Sequence, residues 1–467
     1  MDIKFGTDGW RAVIAKDYTF ANLNKVCQAT ARWIIDEEIT SEGVVIGHDT
    51  RFMGREFSEF AASVFASMDI PVRFADGMAT TPALSWAALE YNVVGVVITA
   101  SHNPPQYNGF KIKAPFGGPA TPDQIEAVEA RIPDADPDYE PGDFNDHVES
   151  GRINIIPLNN YYLDIIRERI DINKIKESGL QIGHDPMYGV SQGMIKTLLP
   201  DQTHEIHADL NPGFYGVAPE PVLKNLGEFA EYVKKSKCDI GIANDGDADR
   251  VGMFDEKGRF VDSHLVLSLL AKYLSQEKNL GGTIVKTFST TSMLNKQAKQ
   301  YNLPIETTKI GFKFIADKIV TGDVLLGGEE SGGLAVKGHI PERDGIFIGL
   351  TVAEMIMHYD KPLSQLVQDL FDEFGPHYNT RLDLHTTEKK KQAMIKHCND
   401  KKIKTINGRQ VIKWDFTDGI KHWMEDGSWV LVRPSGTEPV LRIYSEDGSG
   451  ELAEQNAKEV ARIIDEF

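Results

Sequence analysis

The sequence has little cysteine and no long apolar run, and each absence excludes a class of protein. Cys27, Cys238 and Cys398 are widely separated among 467 residues. Thiols so few and so distant exclude a disulfide framework or a cysteine-based zinc site, and they favour a reducing compartment. No apolar stretch approaches the ~20 residues of a membrane span, and the first residues lack the apolar core of a signal peptide. We therefore expect a cytoplasmic protein without a membrane partner.

The sequence also has fewer basic than acidic residues. Lysine and arginine total 50 residues against 69 aspartates and glutamates, which gives a formal net charge of −19. Such a chain is repelled by nucleic acids and by anionic membranes, so we expect neither as a partner. The glycine-rich fingerprints of nucleotide sites are missing too, and no G-x-S-x-G turn of acyl-transfer hydrolases surrounds Ser101, Ser331 or Ser435. A local basic pocket for a phosphorylated small molecule is compatible with this composition.

The remaining pattern predicts several α/β domains. A chain of 467 residues is too long for one ordinary core and predicts three or more domains. Short β-branched runs that end in glycine-bearing loops alternate with segments of helical period, which is typical of sheets covered on both faces. The stretches "VVIGHD" at 44–49 and "LQIGHD" at 180–185 repeat one strand and turn, which indicates related domains. Linkers are predicted at 133–152, near 254–260 and near 373–379.

Three aspartates in "NDGDADRVG" predict a metal site. Asp245, Asp247 and Asp249 alternate with small residues, so an extended backbone points the three carboxylates to one side. Oxygen ligands of this kind suit Mg²⁺. An EF-hand loop is excluded because Arg250 stands where that loop needs glycine. A solvated acidic turn is the alternative interpretation.

The stretch "VVGVVITASHNPPQYNGFKIK" at 93–113 presents a serine at the end of a predicted buried strand. Ser101 is followed by His102 and, ten residues on, by Lys111. Alone, the serine also fits an ordinary turn. A phosphate on Ser101 would add about −1.5 to −2 charges and three acceptor oxygens, which would complete the coordination of a metal held by the aspartates.

Two further loops suit the two ends of a sugar phosphate. In "GGEESGG" at 327–333, carboxylates beside a hydroxyl fit vicinal sugar hydroxyls, although an acidic surface turn is equally compatible. In "RPSGTEP" at 433–439, Arg433 can bind phosphate bidentately. The neighbouring groups that can form an anion-binding nest are Ser435, Thr437 and the backbone N–H of Gly436.

Taken in order, these loops resemble the signatures of the α-D-phosphohexomutase superfamily, which includes phosphoglucomutases and phosphomannomutases. The resemblance rests on "TASHNPP", "DGDADR", "GEESGG" and "RPSGTEP", together with "FGTDGWR" at 5–11, so it spans nearly the whole chain. It implies three related α/β domains and a smaller C-terminal α+β domain around a central cleft. The boundaries that we predict give domains at 1–148, 149–254, 255–372 and 373–467.

The resemblance also implies roles for individual residues. Ser101 would carry the transferable phosphoryl group and, with the aspartates, would hold Mg²⁺, while Lys111 matches the N-G-F-K segment of the family. Arg11 and Arg250 would lie near the phosphoserine. The residues implied in substrate binding are Lys309 in "TKIGFK", Glu329 and Ser331 at the sugar hydroxyls, and Arg433, Ser435, Gly436 and Thr437 at the phosphate that is not transferred.

The implied reaction interconverts hexose 1-phosphate and hexose 6-phosphate. Glucose 1,6-bisphosphate would serve as activator and intermediate, and it would turn over within the cleft of a monomer or homodimer. Sugar phosphates are then the expected partners. The alternatives are a glucose 1,6-bisphosphate synthase fed by a hexose bisphosphate such as fructose 1,6-bisphosphate, a metal-dependent sugar phosphatase, and a non-catalytic sugar-phosphate binding protein.

Two positions depart from the family pattern. In "HIPERDGI" at 339–346, Arg343 replaces a lysine of phosphoglucomutases. Arginine stays protonated in proteins, so Lys111 or His102 is the better candidate for a general base, and Arg343 is expected to stabilise substrate charge. Gly333 replaces a histidine of mannose- or glucosamine-type loops. With the second glutamate of "GEESGG", this favours glucose phosphates, and mannose phosphates are the alternative.

Overall fold

The computed structural model describes residues 3–6, 8–136, 138–434 and 440–467, and these ranges form four β-sheets with helices packed against them. Three α/β units are followed by a smaller C-terminal unit, as the sequence predicts. No helix within the described ranges combines the length and the hydropathy needed to cross a membrane.

The first sheet has the order β1-β5-β4-β2-β3-β7, with β6 paired to β5. Its central strands are continuous apolar runs buried on both faces, because helices cover both sides. The strands are β1 (Trp10–Val13), β2 (Val44–His48), β3 (Val72–Ala75), β4 (Val94–Ile98), β5 (Tyr107–Ala114), β6 (Gly118–Pro119) and β7 (Ile153–Ile156). The helices are α1 (Phe20–Asp36), α2 (Gly54–Ser67), α3 (Thr81–Glu90), α4 (Pro122–Arg131) and α5 (Phe144–Glu149).

The second sheet has the order β12-β11-β10-β8-β9. The side chain of Asp171 caps α7 by accepting from the N–H of Lys174, and Gly179 ends that helix in a left-handed conformation. The strands are β8 (Ile182–Asp185), β9 (Thr203–Glu205), β10 (Ile240–Asn244), β11 (Val251–Asp255) and β12 (Phe260–Val261). The helices are α6 (Leu158–Arg169), α7 (Ile172–Ser178), α8 (Met194–Leu198) and α9 (Gly227–Lys235).

The third sheet has the order β14-β13-β15-β16. Helix α13 is buried along most of its length, which suits its almost wholly apolar sequence. The strands are β13 (Thr283–Thr287), β14 (Ile305–Thr308), β15 (Val324–Gly328) and β16 (Leu334–Val336). The helices are α10 (Ser263–Lys272), α11 (Met293–Gln300), α12 (Phe312–Thr321), α13 (Gly345–Tyr359) and α14 (Leu363–Phe374).

One strand order recurs in these three sheets. A first strand (β2, β8 or β13) lies between two parallel neighbours, and the second of these neighbours (β4, β10 or β15) pairs antiparallel with the strand that follows it. The hairpin loops β4–β5, β10–β11 and β15–β16 are therefore equivalent positions. They carry Ser101, the aspartate triplet and Glu329, respectively. The repeat that "VVIGHD" and "LQIGHD" indicate thus extends to a third domain.

The C-terminal unit is an antiparallel sheet of order β17-β22-β21-β20-β19-β18. Its core is separate from the core that the first three units share, which draws side chains from all three sheets, including Val45, Ile182 and Ile284. The strands are β17 (Tyr378–His385), β18 (Thr405–Ile406), β19 (Arg409–Asp415), β20 (Ile420–Met424), β21 (Trp429–Pro434) and β22 (Val440–Asp447). The helices are α15 (Glu388–Asn399) and α16 (Gly450–Arg462).

Candidate active site

Ser101 lies in the β4–β5 loop and is fully buried. Its φ of +54° is a left-handed conformation that costs energy for any residue with a side chain. Two contacts hold the backbone there: the N–H of Ser101 donates to Thr99 Oγ1 at 2.8 Å, and its carbonyl accepts from Arg51 Nη2 at 2.7 Å. The serine is therefore fixed in position before any ligand binds.

Arg51 is a buried residue of this site that sequence reasoning missed. Its guanidinium also donates to the carbonyl oxygens of Asn103, Pro104 and Tyr107, and it pairs with Asp49 at 3.2 Å. These bonds fix the conformation of the whole serine loop. The available signal was a charged pair directly after the apolar run at 44–48, in "VVIGHDTR".

The three aspartates lie in the β10–β11 loop, opposite the serine, and all three are fully buried. The Ser101 hydroxyl donates to Asp245 Oδ2 at 2.8 Å. Gly246 allows this approach, since a Cβ at that position would lie 2.5 Å from the carbonyl oxygen of Ser101. The structure thus brings together the two loops that the sequence analysis assigned to one centre.

The triplet fits a hard divalent cation. One ligand atom from each carboxylate lies within 4.8 Å of the others. Asp247 Oδ1 and Asp249 Oδ1 are buried and have no hydrogen-bond partner among the described residues. Buried carboxylate oxygens without a partner are costly, and an ion with oxygen coordination such as Mg²⁺ would satisfy them.

Lys111 is fully buried among acidic groups. Its Nζ lies 2.7 Å from Asp247 Oδ2, 2.9 Å from Asp249 Oδ2 and 2.9 Å from Asp8 Oδ2. Burial alone would lower the pKa of Lys111, but the three carboxylates raise it above its usual value. The lysine therefore carries a positive charge beside the aspartate triplet. Its predicted role as a general base stays a prediction.

Further cations surround the serine. Arg11 Nη1 donates to Asn103 Oδ1 at 3.0 Å, and Arg250 Nε lies 3.9 Å from Asp245 Oδ2. His102 Nδ1 lies 3.3 Å from Ser101 Oγ, and burial together with the nearby arginines lowers the pKa of this histidine. Arginine side chains and carboxylates thus lie side by side around the serine.

The β15–β16 loop carries the predicted sugar-reading residues. Glu329 Oε1 accepts from the backbone N–H of Gly311 at 2.9 Å. Burial and the neighbouring Glu330 raise the pKa of Glu329 to about 7. Ser331 is half-buried in the same loop. Glu330 accepts a hydrogen bond from Ser289 Oγ instead. The two glutamates of this loop therefore have different hydrogen-bond partners.

The two departures from the family pattern are in contact with each other. A Cβ at Gly333 would lie 2.4 Å from Arg343 Cδ, so the glycine makes room for the arginine. Arg343 Nη2 lies 2.8 Å from Asp249 Oδ2 and also pairs with Asp8. Arg343 therefore lies beside the aspartate triplet. Asp8, which links Arg343 with Lys111, is a second residue that sequence reasoning missed, although its motif "FGTDGWR" was recognised.

Two of the predicted substrate-binding residues lie on elements other than the serine and aspartate loops. Arg433 is half-buried near the end of β21, where its Nε donates to Asp418 Oδ1 at 3.1 Å. Lys309 is exposed directly after β14. Ser435, Gly436 and Thr437 lie outside the described residues, so their phosphate-binding role stays a prediction.

Family models match the chain in four places. They describe phosphoglucomutase/phosphomannomutase alpha/beta/alpha domains I, II and III at residues 2–138, 160–258 and 262–374, and the C-terminal domain at 386–463. The domain limits set by sequence stay predictions, while the pairing of strands carries the first sheet to Ile156 and the second to Val261.

Relatives match over nearly the full length. A phosphoglucomutase/phosphomannomutase of Thermococcus kodakarensis is 31% identical over 99% of this chain and 98% of its own. A phosphoglucosamine/phosphogalactosamine mutase of Sulfurisphaera tokodaii is 30% identical over 99% of this chain and 99% of its own length. A crystal structure from Thermus thermophilus, described as a phosphomannomutase, is 32% identical with a TM-score of 0.87 over 100% of this chain and 99% of that one. This chain therefore belongs to the phosphoglucomutase/phosphomannomutase family of the α-D-phosphohexomutase superfamily, and it is an enzyme of the phosphohexomutase type.

Proposed function

We propose that the protein interconverts glucose 1-phosphate and glucose 6-phosphate through a phosphoserine at Ser101 and a glucose 1,6-bisphosphate intermediate. The observation that carries the proposal is the meeting of two loops. A strained, buried serine donates to Asp245, and the other two aspartates offer buried oxygens without partners among the described residues. A divalent cation would bind the carboxylate oxygens that have no partner, and a phosphate on the serine would supply a further oxygen ligand to that cation.

The first half-reaction moves the phosphoryl group from Ser101 to the sugar. The bond from phosphorus to Ser101 Oγ breaks, a bond to the 6-hydroxyl oxygen forms, and the hydroxyl proton ends on Ser101 Oγ. Mg²⁺ at Asp245, Asp247 and Asp249 would neutralise charge on the oxygens of the transferring group. Lys111 and Arg11 add positive charge at the same place, and the fixed serine loop aligns the reacting atoms.

The intermediate must then turn over. Arg433 is the group proposed to hold whichever phosphate is not reacting, with the guanidinium edge that Asp418 leaves open. After the turn, the 1-phosphoryl group returns to Ser101 and glucose 6-phosphate is released. Glu329 accepts hydrogen bonds from sugar hydroxyls in both orientations.

The preference for glucose is supported by the sugar-reading loop. A histidine is absent at Gly333, and the space is taken by Arg343, whose guanidinium is paired with Asp8 and Asp249. A fixed guanidinium beside this loop repels the ammonium group of an amino sugar. Glucosamine phosphate is therefore expected to be a slower substrate, and mannose phosphate is the alternative to glucose phosphate.

Phosphorus NMR tests the proposal. Purified protein with Mg²⁺ and a trace of glucose 1,6-bisphosphate is given glucose, mannose or glucosamine 1-phosphate in separate samples. We expect the glucose sample to reach equilibrium with glucose 6-phosphate first. Accumulation of free phosphate would identify a phosphatase instead. With glucose 6-phosphate and fructose 1,6-bisphosphate, free glucose 1,6-bisphosphate well above the enzyme concentration would identify a synthase.

A further inference from the structure

Asp418 connects two loops that belong to different domains. It lies in the turn between β19 and β20 of the C-terminal sheet. One carboxylate oxygen accepts from Arg433 Nε at 3.1 Å, and the other accepts from the backbone N–H of Ile310, in the third domain, at 2.8 Å. A single side chain thus contacts the proposed phosphate-binding arginine and the segment that follows β14.

The turn holds Asp418 against the strand that carries Arg433. Gly419 has a φ of +93°, which residues with side chains rarely adopt. A Cβ at Gly419 would lie 2.6 Å from the carbonyl oxygen of Val432 and 3.1 Å from Arg433 Cα. This close approach fixes the aspartate relative to Arg433 within the C-terminal domain itself.

The other end of the connection leads to the sugar-reading loop. Ile310 stands between Lys309 and Gly311, and the N–H of Gly311 donates to Glu329 Oε1 at 2.9 Å. Consecutive backbone amides of one short segment are thus divided between two carboxylates. One belongs to the C-terminal domain, and the other belongs to the loop proposed to read the sugar.

The bond to Asp418 also sets which edge of Arg433 is available. Arginine has five N–H donors in a planar fork, and Asp418 takes the one on Nε. Within the described residues Asp418 is the ion-pair partner of Arg433, which leaves both terminal nitrogens for the two oxygens of a phosphate. The carboxylate orients the guanidinium without occupying its binding edge.

We propose that Asp418 is a positioning residue that couples the phosphate grip of Arg433 to the sugar-reading loop and so retains the hexose bisphosphate while it turns. This inference rests on the proposed function. During the turn both phosphates leave their places, and the intermediate stays in the cleft only while the C-terminal domain remains bound to the third domain. The bond from Ile310 to Asp418 is one of the bonds that keep them together.

The coupling is tested first without catalysis, by hydrogen exchange at the amides of residues 309–311. Asp418→Ala should speed exchange at Ile310 by roughly tenfold, the effect of losing one charge-assisted hydrogen bond. Arg433→Ala should also speed it, because the carboxylate loses its second anchor. Unchanged exchange in Arg433→Ala overturns the proposal, since the two loops would then be independent.

The control is Asp415→Asn. Asp415 ends β19 just before the same turn, and its hydrogen bonds within the described part of the chain come from Thr417, so this variant should exchange like the wild type. Asp418→Asn keeps the shape and one acceptor, and it serves if Asp418→Ala does not fold. An effect of Asp415→Asn equal to that of Asp418→Ala would mean general loosening of the turn and would also overturn the proposal.

The second measurement is the partition of the intermediate. For each glucose 6-phosphate formed, Asp418→Asn should release roughly tenfold more free glucose 1,6-bisphosphate than the wild type. Phosphorus NMR measures both products. A purely structural role would lower the amount of active enzyme and leave this ratio unchanged, which contradicts the proposal. Absence of any isomerisation by the wild type would instead refute the proposed function, and the exchange measurement would still stand.

Discussion

The serine and aspartate loops are built differently from the proposed phosphate grip. Ser101, Lys111 and the three aspartates are fully buried, and their loops rise from sheets whose helices and strands share a core. Arg433, by contrast, is half-buried in a domain with a core of its own, which meets the third domain through a small cluster that includes Phe288 and Trp429. The groups proposed for the chemistry are thus fixed by the larger body, while phosphate recognition belongs to a domain with a smaller attachment.

The difference in hydrogen bonding is as large as the difference in burial. The serine loop is held by the four carbonyl bonds of Arg51, whereas Arg433 is oriented by Asp418 alone among the described residues. The proposed reaction, in which the intermediate rotates, needs both properties. Substitutions in the serine and aspartate loops should therefore affect kcat, and those at the phosphate grip should affect KM.

The largest effect is expected for Ser101→Ala. Without the acceptor hydroxyl no phosphoenzyme forms, and turnover should fall by at least ~10³-fold. Intact mass should show a phosphorylated fraction in the wild type and none in this variant. Ser178→Ala, at the exposed end of α7, is the control and should keep the phosphorylated species. Full turnover by Ser101→Ala would remove the serine from the mechanism.

Asp247→Asn should have the next largest effect, a loss of about 10²-fold in kcat. One lost carboxylate weakens metal affinity and removes a partner of Lys111 Nζ, which lies 2.7 Å away. Excess Mg²⁺ should restore only part of the rate, which distinguishes weak binding from lost charge neutralisation. Full wild-type activity in a strong chelator would show that no metal takes part.

Arg433→Ala should raise KM roughly tenfold for both the 1- and the 6-phosphate and leave kcat within a few-fold. The arginine is proposed to grip the phosphate that does not react, so it contributes to the ground state and the transition state alike. Initial rates in both directions measure this. A change for one isomer only would mean that the two ends of the sugar do not share this site.

The smallest effect is a dependence of KM on pH. Burial and Glu330 raise the pKa of Glu329 to about 7, so its carboxylate is mostly protonated below that pH and ionised above it. The ionised form is the better acceptor for sugar hydroxyls, and KM should fall about threefold as the pH rises from about 6.5 to 7.5. Glu329→Gln should lack this component. An equal slope in both proteins would assign it to the substrate phosphate.

Much of this architecture was predictable from local patterns. Continuous apolar runs predicted buried parallel strands, because this pattern follows from backbone geometry over a few residues. The extended backbone predicted for "DGDADR" was wrong: Ala248 has a φ of +62° and its N–H donates to the carbonyl of Asp245, so a turn brings the three carboxylates together. Asp8 and Asp418 were missed because their partners lie far away in the chain. The contact between Gly333 and Arg343 could not be predicted from the sequence either, since it depends on where the Cδ atom of Arg343 packs.

The shared strand order of the first three sheets has a consequence for how such an enzyme can be altered. Each hairpin loop begins and ends on strands whose partners are already set by the sheet. The sequence of one loop can therefore be changed without changing the pairing of the strands. The β4–β5 loop carries the serine, the β10–β11 loop carries the aspartates, and the β15–β16 loop carries the proposed sugar contacts. Replacing residues 329–333 together with Arg343, as one unit, is therefore the route to a different sugar, and because Arg343 pairs with Asp249 the replacement must keep a cation at that carboxylate.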